Sequence, residues 1–164
     1  MTKNEAVFKR DLQKKTIHVE RAFDAPLDEV WEAWTQSESL DQWWAPRPYQ
    51  ARTKKMDFRA GGLWLYAMVG PEGDSQWCRV DFKTVDLKKS LTSSATFCDE
   101  DGNINTDFPA MYWKNVFSAT ATGTVVNIEI TFDKEADMEA ILKMGFQEGF
   151  TMGLNNLDEY LERA

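Results

Sequence analysis

The sequence predicts an α+β domain in which a curved antiparallel sheet wraps around a long C-terminal helix, with two short helices after the first strand. Three observations predict it. From about residue 50 to 132, short runs of alternating apolar and polar residues are separated by turn-forming residues. Two tryptophan-bearing segments at helical spacing follow the first alternating run. The C-terminal segment carries an apolar arc at helical spacing together with glycines at four-residue intervals.

Each element has a local reason. Thr16 to Phe23 alternates, with Ile17, Val19 and Phe23 on one side and His18 and Glu20 on the other, as a half-buried strand requires. Asp24-Ala25-Pro26 breaks it, and a helix begins near Leu27, where Asp28 and Glu29 complement the helix dipole. Val30, Trp31 and Trp34 recur along that helix. A second helix follows Ser37, whose hydroxyl is placed to cap it, and Ala45-Pro46-Arg47-Pro48 ends it because neither proline continues a helix. Gly61-Gly62 opens a strand from Leu63 to Val69 that is apolar on both parities, so it is covered on both faces or faces a cavity on one. Gly70 to Asp74 reads as a hairpin turn. Strands follow at Gln76–Val85 and Leu91–Cys98, then a polar loop at Asp99–Asp107. Met111–Phe117 and Thr124–Phe132 form a hairpin about Gly123, and the successive strands with short turns imply an antiparallel meander. Glu135 to Arg163 reads as one long helix, with Met138, Leu142, Phe146, Phe150, Leu157, Tyr160 and Leu161 on one arc. Gly145, Gly149 and Gly153 fall on the same side, and each costs about 1 kcal/mol against alanine, which demands either close backbone approach or room left for a ligand.

Composition narrows the function. The chain has 164 residues, 43% hydrophobic and 28% charged, with nine Gly and five Pro, which suits a single folded domain and excludes a low-complexity chain. Residues 1–15 read as a basic N-terminal arm and 16–164 as one domain. The arm has no apolar stretch of the secretory kind and Leu63–Val69 is too short to cross a bilayer, so a cytoplasmic protein is expected. A net charge of −8 argues against nucleic acid and against an anionic membrane as partners. Locally, residues 133–164 carry eight acids against three bases, the mark of a solvated helix face. Seven Trp, ten Phe and four Tyr exceed what a core of this size needs, and such walls also line cavities for small apolar ligands.

The order strand, two short helices, meander and long helix is the helix-grip arrangement. Phe23-Asp24-Ala25-Pro26, then Val30-Trp31, Trp34-Thr35, Leu40 and Trp43-Trp44, resembles the opening of the domain related to the activator of heat-shock protein 90 ATPase, within the START-like (SRPBCC) ligand-binding superfamily. Gly61-Gly62 with Trp64, Tyr66, Met68 and Gly70-Pro71-Glu72-Gly73 is similar to the family's central hairpin, and Gly145-Phe146-Gln147-Glu148-Gly149-Phe150 with Leu154, Leu157 and Tyr160-Leu161 to its C-terminal helix. The resemblance implies a shared scaffold and cavity, while ligand and chemistry vary with the lining. It implies three functions of different classes: binding of a small hydrophobic or aromatic molecule, a polyketide cyclase or hydrolase acting on an aromatic substrate, or a cochaperone-like partner of heat-shock protein 90. The namesake cochaperone carries a further N-terminal domain, and only its other domain is matched.

No common catalytic constellation can be assembled. His18 is the only histidine and lies on the polar parity of its strand, away from any triad. Cys78 and Cys98 lie in separate strands and fit no disulfide framework or zinc spacing, and no cofactor or metal is expected. Asp99-Glu100-Asp101-Gly102-Asn103 has its glycine in the wrong place for a calcium loop and reads as a turn. Asp57 and Asp81 read as surface charges. Cys78 shares the apolar parity with Val80 and Phe82, so it is a buried thiol unless it faces a cavity, where it would be the best nucleophile available.

These observations favour a binding module, as a monomer or homodimer. Trp64, Tyr66 and Met68, on one parity, and Phe146, Gly149, Phe150 and Gly153, on the helix, are expected to wall the cavity, with Trp34 and Trp44 closing its mouth. Trp113 and Cys78 join them if their strands turn those parities inward. A filled core is the competing expectation. Two or more cavity groups with displaced pKa values would favour an enzyme.

Overall fold

The structure, a computed structural model, describes residues 5–163. An eight-stranded antiparallel sheet forms from β1 (Val7–Asp11), β2 (Thr16–Phe23), β3 (Gln50–Met56), β4 (Leu63–Val69), β5 (Ser75–Asp86), β6 (Ser90–Cys98), β7 (Met111–Ala119) and β8 (Thr124–Thr131), in the order β1-β2-β8-β7-β6-β5-β4-β3. Helices α1 (Leu27–Thr35) and α2 (Ser37–Trp43) link β2 to β3, and α3 (Glu135–Lys143) and α4 (Phe146–Arg163) close the chain. The fold is helix-grip, START-like: a curved open sheet around a C-terminal helical segment.

The core sits where β2 and β8 meet α4. Ile17 faces Ile130 and Val19 faces Ile128 across that pair, all fully buried, and Leu154 and Leu157 of α4 are fully buried too. Each such side chain contributes about 2 kcal/mol of burial. Arg21 of β2 is fully buried beneath α4, donates to Asn155 Oδ1 at 2.8 Å and lies 3.5 Å from Asp158. Burial pulls its pKa down, and Asp158 partly restores it.

Four local expectations change. The N-terminal arm is not merely solvated: Val7–Asp11 pairs with Glu20–Thr16 as an edge strand, its lysine and arginine discouraging further pairing. Phe8 meets the ring of Phe150 at 6.4 Å. Ser37 does not cap α2, whose N-cap is Gln36 without a side-chain hydrogen bond. The long C-terminal helix is two, because Gly145 adopts φ +88° after α3, a left-handed conformation that ends a helix and that glycine reaches without a Cβ clash. Finally, Asn156 and Asp158 of α4 are buried although polar. The Asp99 loop is a turn, as its sequence suggests: the Asp99 carboxylate accepts from Asp101 N, Asn103 N and Asn103 Nδ2, which holds its pKa below the ordinary value. Leu65 is buried on the outer face of β4, and a Cβ at Gly102 of that loop would lie 3.9 Å from its Cδ2.

Candidate functional site

A cavity of about 290 Å³ opens between the sheet and α4. Three consecutive same-face residues of β4, Trp64, Tyr66 and Met68, form one wall, because side chains two apart in a strand share a face. Pairing sets the next row: Tyr66 faces Cys78 and Trp64 faces Val80 on β5. Ser93 of β6 lies between Phe82 of β5 and Trp113 of β7. Phe146, Gly149 and Phe150 of α4 supply the opposite wall, and Trp34, Leu40 and Trp44 come from the helical pair.

The aromatic walls are cross-braced. Trp44 meets Trp64 at 5.6 Å, Trp113 at 5.9 Å and Phe150 at 6.0 Å between ring centroids. The pairs with Trp64 and Phe150 are edge-to-face, and pairs of this kind add about 1 kcal/mol each beyond their burial. Trp44 Nε1 donates to the Tyr66 hydroxyl at 2.8 Å, and Trp64 Nε1 donates to Thr53 Oγ1 at 2.9 Å. Trp64 and Tyr66 stack at 4.0 Å. The rings are therefore fixed by polar tips as well as by packing.

The expected lining residues come together, Trp113 and Cys78 among them, with one exception. Gly153 does not line the cavity: a Cβ there would lie 3.1 Å from the Trp44 carbonyl oxygen, so this glycine permits close backbone approach to the end of α2. At Gly149 a Cβ would meet only Pro46 Cγ at 3.8 Å, an ordinary contact. Trp34 is not at the mouth. It is buried edge-on against Trp43 and Phe117 and belongs to the inner wall, whereas the exposed lining residue is Met144, at the break between α3 and α4. Trp44, in contact with both flanking walls, is a partition between them.

Among the described residues, every one that lines the cavity is uncharged. Its two shifted titratable groups are Tyr66 and Cys78. Burial pushes the Cys78 thiol up to about 12, and burial raises the Tyr66 hydroxyl well above its ordinary value. Both hold their protons at neutral pH, so Cys78 faces the cavity without being a nucleophile. The carboxylates weighed from sequence lie elsewhere, Asp81 paired with Arg79 at 2.9 Å and Asp57 with Arg59 at 3.0 Å. His18 sits between Lys9 and Glu129 on neighbouring strands. Among the described residues, no group of three His, Cys, Asp or Glu side chains could hold a metal, and no helix is long and apolar enough to cross a membrane.

Three polar lining residues escape a reading of composition alone, Ser93, Thr96 and Asn115. Asn115 shares its parity with Met111, Trp113 and Phe117, and only the pairing of β7 with β6 and β8 turns that parity inward.

The family model described as activator of Hsp90 ATPase homolog 1-like protein matches residues 24–162. Protein Ms6760 from Mycobacterium smegmatis is 29% identical, with a TM-score of 0.87 over 95% of this chain and 96% of that one. A protein from Arthrobacter aurescens is 25% identical, with a TM-score of 0.91 over 96% and 92%. One from Staphylococcus epidermidis shares the fold at 24% identity, with a TM-score of 0.84 over 96% and 94%. No curated protein matches the chain.

Proposed function

The chain belongs to the activator of Hsp90 ATPase homolog 1-like family, and from that premise we propose that it binds a small hydrophobic or aromatic molecule between the sheet and α4. The observation that carries this reading is an uncharged, aromatic-walled cavity of about 290 Å³. That volume lies near the lower end of the roughly 300–1,000 Å³ usual for small-molecule sites, which suits a ligand of one or two fused rings. Native mass spectrometry of the protein purified from its own host is the test. A non-covalent adduct released on denaturation is expected. Bare protein alone, together with no uptake of added naphthalene, would overturn the reading.

Tyr66 and Cys78 are the observation that favours a second reading, an enzyme of the cyclase or hydrolase type. Two converging groups with displaced pKa values fit catalysis. Their direction restricts the chemistry: both are proton donors at neutral pH and neither is a base. Such an enzyme would fold a reactive aromatic substrate by shape and proximity, with Tyr66 donating a hydrogen bond. Turnover lost in Tyr66→Phe while binding persists would support it over simple binding.

A further inference from the structure

We propose that the inner wall of this cavity carries a polar subsite, formed by Asn115 and Ser93 with the indole N–H groups of Trp113 and Trp34, that takes one uncharged hydroxyl or primary carboxamide borne on an aromatic ring. The proposal rests on the binding reading above and names the ligand class for that site.

Asn115 and Ser93 are 5% and 7% exposed. Both are set in an otherwise apolar sheet face. Asn115 lies between Leu91 of β6 and Ile128 of β8, neither of which carries a hydrogen-bonding side chain, and Ser93 lies between Phe82 and Trp113. Because Ser93 faces Trp113, Asn115 stands on the diagonal from Ser93, close enough for both to reach one ligand group. Asn115 Oδ1, Trp113 Nε1 and Trp34 Nε1 are buried with no hydrogen-bond partner. Phe117, two residues beyond Asn115, packs edge-on against Trp34, while Trp113, two residues before it, packs against Phe150. Along β7 the asparagine thus stands between Trp113 and Phe117, the ring on which Trp34 packs.

The other tryptophans around the site behave differently. Trp43 Nε1 donates to the Ala33 carbonyl, Trp44 Nε1 to Tyr66 and Trp64 Nε1 to Thr53. Burying an amide without a partner costs stability, and leucine at position 115 would avoid that cost. Polar side chains kept at such positions mark sites where stability is given up for function. The wall offers indole and amide N–H donors, a hydroxyl that donates or accepts, and an amide oxygen acceptor. A hydroxyl or primary amide matches both kinds. A carboxylate or ammonium does not, because among the described residues no Asp, Glu, Lys, Arg or His lines the cavity to pair with it.

The test is a ligand-observed NMR titration near neutral pH with naphthalene, β-naphthol and β-naphthoate. β-Naphthol is expected to bind about tenfold tighter than naphthalene, one hydrogen bond's worth, and β-naphthoate not measurably. Asn115→Leu should bring β-naphthol down to the level at which the same variant binds naphthalene, and raise the melting temperature. Ser93→Ala should reproduce part of that loss and keeps the test open should Asn115→Leu fail to fold. Equal binding of naphthalene and β-naphthol, or strongest binding of β-naphthoate, would overturn the subsite and leave cavity binding standing. Binding of none of the three to the unsubstituted protein would overturn both.

Discussion

The two halves of α4 meet opposite surroundings. Its first half presents Phe146, Gly149 and Phe150 to a cavity, where a Cβ on Gly149 has only an ordinary contact to make. Its second half is close-packed: Leu154 and Leu157 are fully buried, and Gly153 brings the helix backbone against the Trp44 carbonyl. Asn156 completes that contact, its Nδ2 donating to the carbonyls of Trp43 at 3.4 Å and Ala45 at 3.2 Å, which a helix end leaves without partners. The difference shows that glycines at equal spacing along one face need not share a cause. Gly145 turns the chain, Gly149 leaves space and Gly153 removes a clash.

Substitution at the two helix glycines breaks or sharpens this contrast. Gly153→Leu should cost about 3 kcal/mol in urea unfolding, at the upper end for overpacking, because the obstacle is backbone and cannot rotate away. A loss much smaller than that would mean that α2 and α4 separate easily. Asn156→Ala should cost about 2 kcal/mol by the same measurement, since two buried carbonyls lose their donor. No loss would show that the second half of α4 does not depend on this clasp. Gly149→Leu should gain up to about 1 kcal/mol, the helix propensity recovered, while abolishing naphthalene binding. If it destabilises as much as Gly153→Leu, the first half of α4 is close-packed as well and there is no ligand space at that position.

The smallest effect near neutral pH belongs to Cys78→Ala, and its signature is in the pH profile. Burial raises the thiol from its ordinary 9.0 to about 12, so the folded protein keeps a proton that the unfolded chain releases. The associated stability is fully present below pH 9 and is lost as pH rises toward 12. Cys78→Ala should flatten that alkaline fall, followed by thermal melts, leaving the part due to Tyr66. An unchanged profile would place Cys78 outside the low-dielectric part of the cavity.

Much of the fold was legible because periodicity is a local property. The alternation of Thr16–Phe23, the turn residues around Gly70–Asp74 and Gly123, and the tryptophan spacing of α1 place strands and helices without reference to tertiary contacts. The edge strand β1 was hidden because Val7–Asp11 alternates weakly, and it is pairing with β2 that orders it. The break at Gly145 was hidden because an apolar arc continues through it, and only the left-handed backbone separates α3 from α4.

The cavity shows the same division. Same-strand parity alone was enough to group Trp64, Tyr66 and Met68 on one face, and the helix arc grouped Phe146 with Phe150. What the sequence could not decide was which glycine faces space and which faces a carbonyl, since that depends on where α2 ends relative to α4. Nor could it tell whether Trp34 lies at the mouth or the inner wall. The inward turn of Asn115 and Ser93 was equally out of reach, because a strand apolar on both parities does not declare its face until its neighbours on both sides are paired. Local periodicity determined the elements and the kind of walls they could build; the register between strands and the crossing of helices determined which side chains meet, because those contacts join residues far apart in the chain.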